Sequence, residues 1–298
     1  MASADRPFPE RFIHQVYSTV VKPFVPDPLV QQRLKMLWYV WGYWPLLARR
    51  SQFAPAERLA LLVAFLRVDW RILHAHTPRE VADIAVDLGQ GMTTPGQAIV
   101  EAGCWNGGSA AKFSHLALHL NLSLHVYDSF QGVEDVSNVP GEWRYSGQYA
   151  SAEVTVRRNL ERYGSAAPYM THPGWFSETL GRTPVAVPIA MAYIDCDIAK
   201  GTYEALRGIV GSLAPHAVVF SQDFHIAPVI ALLTNPETWA RLGVPAPRIT
   251  RLGRNLAKLS WDAKMQESAR ANAVGRAAGE PVLTKGSSGT EIHERPAA

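Results

Sequence analysis

Between residues 97 and 262 the apolar positions fall into short runs separated by longer amphipathic stretches. AIVE (98–101), LSLHVYD (122–128), PYMTH (168–172), VPIAMAYID (187–195) and HAVVFSQD (216–223) have the length and the β-branched and aromatic content of buried strands. GSAAKFSHLALHLN, SAEVTVRRNLERYG, TYEALRGIVGSLA and PVIALLTNPETWARLG lie between them as helical stretches. This alternation predicts an α/β fold: a mostly parallel sheet with helices on both faces. Two further runs, RITRLG and LAKLSW, flank Arg254-Asn255 and predict an antiparallel pair at the end of the sheet.

Residues 1–96 read differently, with helix-like patterns and no strand. The run AERLALLVAFLRVDWRILHAH (56–76) reads as one helix, wetter along Arg58, Arg67, Asp69 and Arg71. Thr77, Pro78 and Glu80 have the order of an N-cap, a first-turn proline and a capping-box acid, which opens a second helix at PREVADIAVDLG. GQGMTTPGQ (89–97) is a glycine and proline break. Residues 263–298 lose periodicity and read as a disordered tail. Three units follow: an N-terminal helical region, 1–96; a ligand-binding α/β domain, 97–262; and a tail, 263–298.

Composition narrows the class. Of the 298 residues, 47% are hydrophobic and 18% charged, a globular balance. A net charge of +3 is too small to call for a nucleic-acid partner. Two cysteines, Cys104 and Cys196, make no disulfide framework, and the first residues lack a secretory pattern, so the expected setting is cytoplasmic. The apolar run MLWYVWGYWPLL (36–47) is shorter than the ~20 residues of a membrane span. Its dense aromatics suit a helix packed on the domain or on a second subunit, and a homo-oligomer, a dimer, is expected. A lid over the acceptor is the other use of that region.

The candidate chemistry begins at AIVEAGCWNGGSAAKF, 98–113. Gly103, Gly107 and Gly108 follow the first strand, and a helix opens at Ser109. Such a turn lets a ligand approach the backbone and meet helix N–H groups. The spacing is not that of a dinucleotide fingerprint, and no Lys or Arg lies within 101–111; the acid Glu101 stands there instead, which suits a positively charged ligand. Asp128, at the tip of the second strand, is placed for a ribose diol. Together these features resemble a class I S-adenosylmethionine methyltransferase.

The resemblance sharpens over residues 99–225. VEAGCWNGGSAAK, VYDSFQGV, SGQYASAEVTVRRNLERYG, GWFSETL and YIDCD, in that order, are similar to segments of the macrocin O-methyltransferase family of bacterial natural-product enzymes. The resemblance implies a Rossmann-like seven-stranded sheet whose last strand is antiparallel, with the N-terminal helices as an extension. It implies S-adenosylmethionine as cofactor, with Glu101, Gly103 and Gly107 at its methionine end, beside Gly108 and Ser109. Asp128 then holds the ribose, Ser129 and Phe130 lie beside the adenosine, and Gly174 and Trp175 lie along the adenine.

Acids gather at two later strand ends: Asp195 and Asp197 in YIDCD, and Asp223 after Gln222 in VVFSQD. Three converging acids call for a hard divalent cation such as Mg²⁺. The resemblance implies Asp195 and Asp223 as metal ligands, with Asp195 also beside the cofactor and Asp197 as general base. Gln222 stands where the family has a second adjacent acid; its amide oxygen is a weaker ligand. His225 and His172 are reserve bases. The expected function is O-methylation of a small-molecule hydroxyl, on a sugar or other group of a secondary metabolite. Metal-independent transfer to nitrogen, carbon or a phenol with His225 as base, and a non-catalytic S-adenosylmethionine-binding protein, stay open. The loop VEDVSNVPGEWRYSG (133–147), with exposed-looking Trp143 and Tyr145, is expected to close over the acceptor.

Overall fold

The computed structural model describes residues 19, 22–50, 52–90, 93–140, 142, 145–261 and 292–294. Among the described residues, α1 (Pro28–Arg33), α2 (Met36–Arg50), α3 (Pro55–Arg71) and α4 (Pro78–Gln90) precede the sheet. The alternating part runs β1 (Ala98–Ala102), α5 (Gly108–Leu120), β2 (Ser123–Asp128), α6 (Glu153–Tyr163), β3 (Tyr169–Pro173), β4 (Ile189–Ile194), α7 (Ala199–Ile209), β5 (Leu213–Ser221), α8 (Ala227–Thr234), α9 (Pro236–Leu242), β6 (Arg248–Arg251) and β7 (Ala257–Ser260). The strand order is β3-β2-β1-β4-β5-β7-β6, with an eighth, β8 (Ile292–Glu294), beside β6. Strands β1 to β5 pair in parallel, and β7 inserts antiparallel between β5 and β6. The parallel sheet and its antiparallel close follow the alternation, and the seven-stranded Rossmann-like arrangement is the one the resemblance implies.

The eighth strand departs from that expectation. Ile292–Glu294 (β8) pairs parallel with β6, within the stretch read as a structureless tail. An edge strand leaves a row of N–H and C=O groups open to such pairing. The rest of that tail, 263–291 and 295–298, lies outside the described residues.

Alternation along the strands builds two cores. Ile99, Leu124, Met191, Tyr193 and Phe220 face one side and pack with Tyr43, Leu47, Phe65, Ile84 and Phe113. Val100, Tyr127, Ala192, Ile194 and Val219 face the other and pack with Leu206, Ile209, Val229, Leu233 and Trp239. The N-terminal helices therefore share a core with the sheet.

The capping box opens α4 as read: Thr77 N–H donates to Glu80 Oε2 at 2.7 Å, and Glu80 N–H to Thr77 Oγ1 at 3.3 Å. Helix α3, however, ends at Arg71 and not at His76. The Gln32 amide donates to the carbonyls of Asp69 (2.5 Å) and Ile72 (2.7 Å) and accepts from His74 N–H (3.2 Å). Those bonds replace the next helical turn, and residues 72–77 run on as an irregular segment. Helix α2 buries Tyr43 and Leu47 but leaves Leu37 81% and Trp41 73% exposed. No helix among the described residues is long and apolar enough to cross a membrane.

Trp239 is fully buried, donates its indole N–H to the Leu233 carbonyl at 2.8 Å and meets Trp261 edge-on at 5.7 Å. Trp239→Ala is expected to cost ~3–5 kcal/mol by cavity formation, measured as a shift of the urea midpoint.

Candidate active site

The register of the parallel strands sets the site. Ala102 is level with Tyr127 and Ile194, and Ile194 with Ser221. The next residue of each strand is therefore Gly103, Asp128, Asp195 and Gln222, in one row. The ladder continues into that row: Gly103 N–H donates to the Tyr127 carbonyl (2.9 Å), Asp195 N–H to Ala102 (2.8 Å) and Gln222 N–H to Ile194 (2.9 Å). Above the row lies a cleft of about 260 Å³ that all four residues line.

Gly103 is required where it stands. Its φ is +89°, and a Cβ there would lie 1.9 Å from the Asp195 carbonyl oxygen. Asp128 braces the turn that follows. Its Oδ2 accepts from the N–H groups of Cys104 (2.7 Å) and Trp105 (3.3 Å), and its Oδ1 from Phe130 (2.7 Å). Of the about four lone-pair positions of a carboxylate, one remains for a ligand.

The sequence-derived candidates divide in two. Gly103, Gly108, Ser109, Asp128, Ser129, Trp175, Asp195, Asp197, Gln222, Asp223 and His225 all line the cleft. Glu101, Gly107, Phe130 and Gly174 do not, and form its backing. Gly107 caps α5 with φ +77°, and Gly174 N–H donates to the Asp128 carbonyl at 3.0 Å. Glu101 is fully buried, and neither of its carboxylate oxygens has a hydrogen-bond partner among the described residues. Burial pushes its carboxyl up to about 8; the nearby Ser109 hydroxyl offsets part of the rise and the Asp128 charge adds to it. His172 lies away from the cleft, stacked on Tyr127 at 4.0 Å, and burial lowers it to about 4.

The acids converge as expected. Asp195, Asp197 and Asp223 bring carboxylate oxygens within 4.8 Å of one another. Asp223 Oδ2 accepts from the N–H groups of Cys196 (2.8 Å) and Asp197 (2.9 Å), which ties β5 to the turn after β4. Asp197 sits in the left-handed region, φ +61°. Burial raises Asp195 well above the carboxylate range, helped by the charges of Asp223 and Asp197. Burial and then Asp223 push Asp197 up to about 8, and burial brings Asp223 to about 6. No Lys or Arg lines the cleft among the described residues. Gln222 gives its amide N–H to Glu80 Oε2 at 3.2 Å, and its buried Oε1 has no partner among the described residues. Three underneutralised carboxylates and an orphaned amide oxygen fit a hard divalent cation.

A family model described as macrocin-O-methyltransferase (TylF) matches residues 85–241. The chain belongs to this family. It is 33% identical over 139 residues to the 8-demethyl-8-(2,3-dimethoxy-alpha-L-rhamnosyl)-tetracenomycin-C 4'-O-methyltransferase of Streptomyces olivaceus, a match over 43% of this chain and 53% of that protein. The matched region thus spans about half the length of that curated relative. Among solved structures, the O-methyltransferase NovP superposes with a TM-score of 0.55 at 20% identity, over 78% of this chain and 99% of that one. The calicheamicin methyltransferase CalS11 gives 0.49 at 18% identity, over 81% and 96%.

The candidates named from the sequence do not account for the whole wall of the cleft. Trp105 (φ +46°) and Tyr149 (φ +60°) meet edge-on at 5.2 Å and line it. Tyr145, read as exposed, is buried and also lines it. The loop that carries Tyr145 is pinned inward: Glu142, 2% exposed, accepts the Ala199 N–H at 2.5 Å, and Glu134 pairs with Lys200 at 2.5 Å. Trp143 lies outside the described residues. His74 and His76 enter from the segment after α3. Apolar periodicity alone had placed them inside a helix, and only the Gln32 bonds signal otherwise. Cys104 and Cys196 both line the cleft, but burial raises both thiols well above their ordinary value, and neighbouring acids add to this.

Glu101 makes stability depend on pH. A carboxyl raised from about 4.5 to about 8 favours the fold fully below pH 4.5, and that contribution is lost as pH climbs toward 8. Glu101→Gln is therefore expected to flatten the fall in unfolding free energy between pH 5 and 8, by at most ~1.4 kcal/mol per pH unit. Urea titrations of both proteins across that range check it.

Proposed function

We propose that this protein is an S-adenosylmethionine-dependent O-methyltransferase acting on a hydroxyl of a small molecule, a sugar or other group of a bacterial secondary metabolite. The observation that carries the reading is the Asp195–Asp197–Asp223 cluster, standing in the same cleft as Asp128 and the glycine turn. Family membership supports it, and so does the tetracenomycin relative, whose name places a methyl group on a rhamnosyl sugar.

On this reading the cofactor lies along the row of strand ends. Gly103, Gly108 and Ser109 meet its methionine end, with Glu101 and Gly107 beneath them. Asp128 and Ser129 take the ribose, and Phe130, Gly174 and Trp175 bound the adenosine. Asp195 and Asp223, with Gln222 Oε1, would hold a divalent cation such as Mg²⁺. When bound, S-adenosylmethionine supplies an electrophilic methyl group and the cation supplies Lewis acidity that makes an alcohol more acidic. Asp197 takes the proton from the acceptor hydroxyl. Its backbone N–H is held by Asp223 at 2.9 Å, which fixes the turn that carries it. The loop pinned by Glu142 and Glu134 adds Tyr145 to the wall of the cleft.

The N-terminal helices act as part of this catalytic unit, and the exposed Leu37–Trp41 side of α2 suits a homodimer contact. The proposed compartment is the cytoplasm.

Gln222 favours a second reading. An amide in place of an acid weakens the metal site, and its N–H is already given to Glu80. Transfer without metal, to nitrogen, carbon or a phenol, then uses His225 as base. Turnover that survives EDTA selects this reading; turnover lost to EDTA and restored by Mg²⁺ selects the first. Asp195→Ala and Asp197→Ala are each expected to lower turnover at least ~10²-fold while calorimetry still finds S-adenosylhomocysteine binding. Near-normal turnover in both variants removes the mechanism.

A further inference from the structure

One wall of the cleft is backed by a buried polar network. His74 and His76 line the cleft and stack on each other at 4.0 Å, 9° from parallel. Behind them, Lys112 of α5 is fully buried. It forms an ion pair with Asp69 of α3, and its Nζ lies 2.6 Å from His76 Nε2. Asp69 is held further by the Tyr43 hydroxyl, which donates at 2.8 Å, and by His74 Nε2 at 2.6 Å. Asp69, His74 and His76 are close enough together for a metal. The Lys112 ammonium already stands against Asp69 and His76, so a cation of the chain itself fills that role.

Lys112 also decides where the His76 proton sits. An ammonium carries only donors, so Nε2 must offer its lone pair and the proton of the neutral ring lies on Nδ1. His76 is 6% exposed and lines the cleft, and its contact with Lys112 is made through Nε2. Burial, then the Lys112 charge, lowers its basicity strongly and keeps the ring neutral. The ring thus presents one N–H with a buried positive charge behind it.

That donor stands beside the glycine turn. The Asn106 amide donates to the Leu73 carbonyl at 3.2 Å, and a Cβ added at Gly108 would lie 2.9 Å from the His74 Cβ. Segment 73–76 therefore abuts the first turn of α5, whose N-cap, Gly107, supplies no side-chain cap. The N–H groups at the start of that helix and the N–H of the neutral His76 ring form a wall of hydrogen-bond donors; the Lys112 charge behind it is balanced by Asp69. The three aspartates form an electronegative wall. A ligand with a carboxylate at one end and a cation in its middle suits donors on the first wall and acids on the second.

We propose that His76, its tautomer set by Lys112, donates the hydrogen bond that receives the α-carboxylate at the amino-acid end of S-adenosylmethionine. The assignment rests on the cofactor reading above. His76 is a binding residue in it, and Lys112 and Asp69 are positioning residues.

Calorimetry on the full chain with two nucleosides tests it. S-adenosylhomocysteine keeps the amino-acid end, and 5′-methylthioadenosine lacks it. The unaltered protein is expected to bind the first more tightly. His76→Ala should weaken S-adenosylhomocysteine about tenfold and leave methylthioadenosine unchanged. His76→Asn, whose amide N–H replaces Nδ1–H, should restore most of the difference, and His76→Gln, which reaches the Nε2 position, should not. If His76→Ala does not fold, the Asn and Gln variants decide the matter. Equal weakening of both nucleosides, or S-adenosylhomocysteine affinity that does not change, overturns the assignment. If the unaltered protein binds neither nucleoside, the cofactor reading itself fails and takes this assignment with it.

Discussion

The parallel ladder through β2, β1, β4 and β5 ends all four strands at one level, and the cleft depends on that register. Strands ~4.8 Å apart place Asp128, Gly103, Asp195 and Gln222 across about 14 Å of sheet edge. The close approach has a steric condition, a glycine where β1 meets the Asp195 carbonyl. It also has a hydrogen-bonding condition. Asp128 gathers three N–H groups from its own loop and the β1 turn, and Asp223 gathers two from the β4 turn. Each carboxylate pins a neighbouring strand's exit, so the acids that face the ligand also hold the loops in place.

Charge is distributed unevenly around this edge. Three aspartates crowd one side without a cation among the cleft-lining residues, and burial makes each harder to ionise than in water. On the other side the buried Lys112 is matched by Asp69 and withdrawn behind two histidines. A fully buried ammonium persists only where it is paired and hydrogen-bonded, and Asp69 and His76 meet that need here.

The N-terminal helices belong to this arrangement. Their apolar side shares a core with Ile99, Phe113 and Tyr193. Three of their polar side chains shape the cleft wall from behind: Glu80 holds the Gln222 amide, Asp69 holds Lys112, and Gln32 turns the chain out of α3 so that His74 and His76 meet the cleft. Gln222 is accordingly more than a lost acid. Its amide is fastened by a residue whose other bond caps α4, which leaves its oxygen directed elsewhere.

By itself the sequence determined the alternation of strand and helix, the antiparallel close of the sheet, the glycine turn, the capping box at Thr77 and the acids at strand ends. These are local properties: apolar period, backbone freedom and the residue that follows a strand are all written within a few positions of one another. Tertiary structure alone decided what depends on partners far apart in the chain. It ended α3 five residues before His76, buried Tyr145, drew Ile292–Glu294 onto the sheet and set Glu101 behind the cleft. It also joined Lys112 to Asp69 and His76 across 43 and 36 positions. No periodicity encodes such a pairing, because the register of the sheet and the docking of the helices must exist before those groups share a dry interior where an ion pair and a fixed tautomer form.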